Sequence, residues 1–105
     1  MAVKEVDDSQ FQDELQNSSK AVVKFYAGWC GSCKLFAPKF KRMSESEEYQ
    51  EVDFMKVNAE ENPEARKWAG VSNLPFFAVV KDGEVIASDN TTKEEAVKEL
   101  INQVN

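Results

Sequence analysis

The chain has 105 residues, of which 42% are hydrophobic and 30% charged, a composition typical of globular proteins. This length predicts one domain over residues 1–105 and leaves little room for a second. The formal net charge of −6 argues against nucleic-acid binding, which requires a basic surface. The absence of histidine excludes Cys–His and serine-triad catalysis and removes the commonest metal ligand.

The sequence gives no sign of a membrane or export segment. No apolar run approaches the roughly 18–20 residues that a membrane-spanning helix needs, and residues 1–8 contain no hydrophobic signal core. We therefore expect a cytosolic protein without a membrane partner. In that compartment a disulfide is more often catalytic than structural. Nothing in the pattern indicates an oligomer, so we expect a monomer.

The first quarter of the chain predicts an edge strand, a short helix and a buried strand. Residues 1–6 alternate weakly, and the polar residues that follow offer N-cap oxygens to a helix over 9–17. Residues 21–27 are rich in valine and aromatic side chains, which is typical of a central strand covered on both faces. Lys24 lies in the middle of this strand, where it would need a partner or a route to water.

The only two cysteines, Cys30 and Cys33, lie between that strand and a helix predicted over 33–48, whose apolar stripe includes Leu35. Unpaired N–H groups and the positive dipole end at a helix start favour the thiolate, which is the nucleophile. Cys30 is therefore placed to react, and Cys33 is placed to close a disulfide with it. Pro38 lies inside the helix and predicts a kink.

Two other interpretations of the cysteine pair carry less weight. Inert buried thiols fit poorly with a helix start, which favours reactivity. A zinc site takes four ligands, usually cysteine or histidine, and this chain supplies two. We therefore expect no metal.

The middle of the chain predicts a second core strand over 52–59, where apolar and polar residues alternate. Asn62 followed by Pro63 predicts the N-cap and first position of a helix. Gly70 is a plausible C-terminal stop for it.

The last third predicts a β-hairpin and a helix. Strands over 76–81 and 84–89 flank Asp82-Gly83, which is typical of a tight hairpin turn. Thr91 and Thr92 each stand three residues before a glutamate, so a capping box is expected to start the last helix. The element order β-α-β-α-β-α-β-β-α predicts a mixed sheet between helices.

The chain resembles the thioredoxin family over nearly its full length. The resemblance rests on Trp29-Cys30-Gly31-Ser32-Cys33-Lys34 after a strand and on Leu74-Pro75 before another. Shorter matching segments are Phe25-Tyr26-Ala27, Ala37-Pro38, Lys56-Val57-Asn58, Asn62-Pro63 and Lys81-Asp82-Gly83-Glu84-Val85. The resemblance implies an α/β thioredoxin fold, with a central mixed sheet of about five strands flanked by four helices.

The resemblance also implies residue roles. Cys30 would be the attacking thiol and Cys33 the resolving thiol in exchange with disulfide-containing protein substrates, with no cofactor beyond their own disulfide. Pro75 would be the family's cis-proline, facing the cysteines. The apolar docking surface would consist of Trp29, Gly31, Leu74 and Pro75. A recycling enzyme such as thioredoxin reductase would recharge the pair.

Three departures from the family pattern bear on function. Ser32 stands where proline is usual, and Lys24 where the family has a buried aspartate thought to help deprotonate the resolving thiol. Residues 89–92 replace a glycine-rich stretch and Phe76 a common threonine, which should reshape the docking surface. A Lys24 ammonium near the sulfurs would stabilise thiolate and make the pair less reducing. A neutral lysine would instead act as a base.

We therefore predict a protein-disulfide reductase, with Lys24, Ser32, Lys34 and Lys56 as modulating residues. Two alternatives remain open. One is an oxidant or isomerase-like exchanger on the same fold. The other is a docking module whose cysteine pair senses redox state.

Overall fold

Strands and helices alternate along the chain until a final hairpin, in a computed structural model that describes residues 3–105. The elements are β1 (Lys4–Glu5), α1 (Asp8–Gln16), β2 (Lys20–Tyr26), α2 (Gly31–Ser44), β3 (Asp53–Asn58), α3 (Pro63–Ala69), β4 (Phe76–Lys81), β5 (Glu84–Asn90) and α4 (Glu94–Asn102). The predicted mixed sheet of five strands with four helices is confirmed. Residues 1 and 2, part of the predicted edge strand, lie outside the described residues.

The central strand β2 organises the sheet, whose order is β1-β3-β2-β4-β5. It pairs parallel with β3 and antiparallel with β4. Its residues 21–25 are all buried because cores cover both faces. Val23 and Phe25 belong to one core, and Val22 belongs to the other. The strand ends at Tyr26, so it delivers the cysteine loop to one edge of the sheet.

Helix α2 is shorter than the predicted helix over 33–48. It begins at Gly31, with Cys30 as its N-cap, and ends at Ser44. A separate 3₁₀ turn, Glu47–Tyr49, follows, and the Ser46 hydroxyl accepts the Glu48 N–H at its start. The predicted C-terminal end of the helix, at residue 48, was therefore wrong. The acidic residues Glu47 and Glu48 belong to this separate turn and not to α2. Pro38 lies within α2 as predicted.

Helix α3 begins with Asn62 as its N-cap residue and ends at Gly70, which has a positive φ of 68°. The cap itself comes from elsewhere in the chain. The Asp8 carboxylate accepts the N–H groups of Glu64 and Ala65 at 3.0 and 2.9 Å. In return, the Asn62 Oδ1 accepts the Asp8 N–H at 2.7 Å. This reciprocal pair links α1 to α3, and each side chain holds the start of the other's helix.

The hairpin turn is confirmed, because Asp82 and Gly83 both have positive φ, at 52° and 85°. The capping box predicted for the last helix was wrong. Helix α4 has Lys93 as its N-cap and no side-chain cap, while the Thr91 hydroxyl accepts the Lys93 N–H at 3.0 Å. Residues 3–105 contain no helix that is both long and apolar enough to cross a bilayer.

We expect Asp8→Ala to lower the free energy of unfolding by about 1–2 kcal/mol, because α3 loses its only side-chain cap. Urea unfolding of the purified variant measures this loss. Asp13→Ala is the matched control, since Asp13 is an exposed aspartate on the same helix. An equal loss in both variants would show that the bonds to Glu64 and Ala65 contribute nothing.

Candidate active site

The start of α2 places Cys30 and Cys33 together. As N-cap residue, Cys30 accepts the Cys33 N–H on its Sγ at 3.1 Å. The two form a disulfide with a Cα–Cα distance of 5.3 Å. Both cysteines are buried among Ala27, Tyr26 and Leu74. The two cysteines therefore lie at the start of a helix and pack against apolar side chains.

The hydrogen bond from the Cys33 N–H to Cys30 Sγ affects the charge that this sulfur can carry. When the disulfide is reduced, the sulfur at this position carries the charge as a thiolate. A backbone N–H and the positive end of a helix then stabilise that charge. The Ser32 hydroxyl, 3.6 Å from Cys30 Sγ, adds a second polar neighbour. These contacts favour a thiolate at Cys30.

An exposed apolar surface lies beside the pair. Trp29 is 68% exposed, and its indole Nε1 donates to Glu60 Oε2. Gly31 is exposed with open space around its Cα, and Leu74 is half-buried against the cysteines. Pro75 is buried, and the Leu74–Pro75 peptide bond is cis. The predicted docking residues therefore differ in accessibility, and Trp29 offers the largest exposed area.

Leu35 was wrongly predicted to belong to the buried stripe of α2, since it is 78% exposed. The buried residues Phe36, Phe40 and Met43 follow a spacing of four and three. Leu35 lies about 100° away from Phe36 around the helix, which takes it off that face. The angular spacing of the apolar residues could have shown from the sequence that Leu35 lies off the buried face. Leu35 is therefore an exposed apolar side chain in the first half of α2.

Lys24 is 4% exposed and projects toward aromatic rings. Its Nζ lies 5.3 Å from the ring centroid of Phe40 and 5.9 Å from that of Tyr26. Burial, followed by repulsion from Lys56, lowers the pKa of Lys24 from 10.5 to about 8, and attraction to Glu5 opposes part of that shift. With a pKa of about 8, Lys24 is mainly a cation at neutral pH. The neutral base is therefore the minority form.

Glu5 and Tyr26 lie near Lys24, and the sequence analysis did not predict this group. The Tyr26 hydroxyl donates to both Glu5 carboxylate oxygens, at 2.9 and 2.8 Å. Burial, followed by the neighbouring Glu5, raises the pKa of Tyr26, which therefore stays neutral. Lys56 is half-buried, with its Nζ 3.6 Å from Glu5 and 5.9 Å from the Tyr26 ring centroid. Lys34 is exposed and directly follows Cys33.

The described residues, 3–105, contain no group of three or more His, Cys, Asp or Glu side chains arranged to hold a metal ion.

Comparisons with known proteins agree on one family. The family model described as thioredoxin matches residues 2–105. The chain is similar to thioredoxin of Bacillus subtilis, with 35% identity over 106 residues that cover 98% of both proteins. It is also similar to the mitochondrial thioredoxin-3 of Saccharomyces cerevisiae, with 31% identity over 88% of this chain and 74% of that one. A solved thioredoxin from Plasmodium falciparum matches with a TM-score of 0.90 and 29% identity, covering 98% of this chain and 100% of that chain.

The buried Lys24 charge makes the stability of the protein depend on pH. Below about pH 8, Lys24 is protonated in both the folded and the unfolded chain, so the full cost of burying its charge applies. Between about pH 8 and 10.5 the unfolded chain holds a proton that the folded chain has lost, so this contribution to the free energy of unfolding rises with pH. We expect Lys24→Met to increase the free energy of unfolding at pH 7 by about 3 kcal/mol.

Urea unfolding in phosphate-free buffer, at about pH 7 and about pH 10, measures this effect. The gain of Lys24→Met over the unmodified protein should shrink at the higher pH. Lys39→Met, an exposed lysine on α2, serves as the control and should change little. A gain that is the same at both pH values would rule out titration of Lys24 as the cause.

Proposed function

The chain belongs to the thioredoxin family, and we propose that within this family it works as a reductase of protein disulfides, recharged by a dedicated reductase. The chain is a thiol–disulfide oxidoreductase, as its relatives and its disulfide-capable cysteine pair indicate. The direction of the reaction and the recycling partner are the proposed parts. A cytosolic setting would suit this direction, because thiols are kept reduced there.

The reaction consists of two thiol–disulfide exchanges. The Cys30 thiolate attacks one sulfur of a substrate disulfide, that S–S bond breaks, and a mixed disulfide forms while the other substrate sulfur leaves as a thiolate. The Cys33 thiolate then attacks Cys30 Sγ and releases the second substrate thiolate. The two substrate sulfurs take up protons, and the Cys30–Cys33 disulfide holds the oxidation. Two electrons from a reductase restore the dithiol.

One observation carries this assignment of roles: the Cys33 N–H donates to Cys30 Sγ at the start of α2. The group that stabilises a negative sulfur acts on Cys30, which makes Cys30 the attacking thiol. Exposure does not separate the two cysteines, since Cys30 is 4% and Cys33 2% exposed, but Cys33 lies inside the first turn of α2 whereas Cys30 precedes the helix. Exposed Trp29, directly before Cys30, offers apolar area on which a substrate segment can dock beside the nucleophile.

A second direction, oxidation or isomerisation, is favoured by the charge around the site. Lys24 and Lys34 are cations on the strand before the cysteine loop and on the helix after it. Positive charge stabilises thiolate, and thereby the reduced form, which shifts the pair toward oxidising behaviour. An aspartate at position 24, which is usual in the family, would instead disfavour thiolate and shift the pair toward reducing behaviour. A reductase and an oxidant of this kind use the same two exchange steps and differ in the reduction potential of the cysteine pair.

We expect Cys33→Ser to accumulate a mixed disulfide between Cys30 and a disulfide-containing test protein, because no resolving thiol remains. Non-reducing gels and peptide mass spectrometry identify the linked residues. Cys30→Ser should form far less adduct, and the double variant should not reduce the test protein.

Two results would contradict these roles. Equal trapping by Cys30→Ser would mean that Cys33 also attacks substrates. Undiminished activity of the double variant in its cellular function would identify a docking module rather than an enzyme.

A further inference from the structure

A cavity of about 550 Å³ beside α2 is lined by lysines from three elements. Lys24 comes from β2, Lys56 from β3, and Lys34 and Lys41 from α2. Among the residues that the structure describes, no aspartate or glutamate lines this cavity. The remaining walls include apolar side chains of α2, among them Pro38 and Phe40. A chain with a net charge of −6 thus gathers four cations around one apolar-walled space.

The fold itself brings these lysines together. Lys24 and Lys56 are register partners in the parallel pair of β2 and β3, so their side chains leave the sheet on the same face. Lys34 and Lys41 are seven residues apart, which puts them on one face of α2, two turns from each other. Like charges placed directly opposite each other destabilise a sheet. The pairing of Lys24 with Lys56 therefore has an electrostatic cost.

Most of this charge lacks an anionic partner. Lys24 forms no hydrogen bond or ion pair within residues 3–105, although its ammonium has three donors. The Glu5 carboxylate acts on its charge from a distance, but it forms its ion pair with Lys56. Lys34 and Lys41 form no ion pair within residues 3–105 either. Only Lys56 has one, with Glu5 at 3.6 Å. A cation on a residue that is only 4% exposed has lost much of its water, which is costly, and a bound anion would reduce that cost.

We propose that this cavity binds a small organic phosphate. The ammonium groups of Lys24, Lys34 and Lys41 would hold the phosphate, while Pro38 and Phe40 contact the organic part. A phosphate monoester carries close to two negative charges near pH 7, which suits three unpaired lysines better than a single carboxylate does. The cavity volume lies in the usual range for small-molecule sites. The inference does not depend on the direction of the thiol–disulfide reaction.

The test uses phenyl phosphate as the probe, titrated into the oxidised protein at constant ionic strength and followed by calorimetry and amide NMR shifts. We expect saturable one-to-one binding, tighter than that of inorganic phosphate and absent for benzyl alcohol. Lys24→Met should weaken binding at least tenfold and Lys41→Met several-fold. Lys39→Met removes the same charge from α2 outside the lining, and it should leave binding unchanged.

Several outcomes would overturn the proposal. The absence of saturable binding would do so, as would equal affinity for inorganic phosphate or for benzyl alcohol. Equal weakening by Lys39→Met would reduce the effect to general surface charge. Lys41 is exposed, so Lys41→Met tests the site even if the Lys24 variant does not fold. The binding of phenyl phosphate is measured without any disulfide substrate. A negative result would therefore count against the phosphate site and not against the reductase activity.

Discussion

The hydrogen bond from the Cys33 N–H to Cys30 Sγ is the contact on which the proposed roles of the two cysteines depend. It exists because β2 stops at Tyr26 and the chain turns into α2 within a few residues, with Cys30 as the last residue outside the helix. The strand is held at the centre of the sheet by partners on both sides. A rigid strand and a helix start therefore fix the position of a sulfur that must carry negative charge.

A second constraint is the cation at position 24. A lysine in a strand whose neighbours are all buried lowers the stability of the protein, and cation–π contacts with Phe40 and Tyr26 offset only part of that cost. The strand that carries Lys24 also leads into the cysteine loop, and Lys24 lines the cavity beside α2. The proposed redox effect and the proposed anion site therefore both depend on the residue at position 24.

Local patterns predicted the features that depend on near neighbours in sequence. Periodicity and turn residues gave the sheet, the hairpin at Asp82-Gly83 and the helix start at the cysteines. Tertiary contacts decided the rest. Asp8 caps a helix more than fifty residues away, which no local motif reveals. The lysine cavity depends on the register of β2 with β3 and on the packing of α2 against both.

The reduction potential of the Cys30–Cys33 pair, titrated in glutathione buffer, tests the account most directly when the protein is compared with its Lys24→Asp variant. We expect the unmodified protein to lie above the value of about −270 mV given for thioredoxin, with the variant more negative, because the cation stabilises thiolate. A potential at or below about −270 mV in the unmodified protein, or no shift in the variant, would contradict the role given to Lys24.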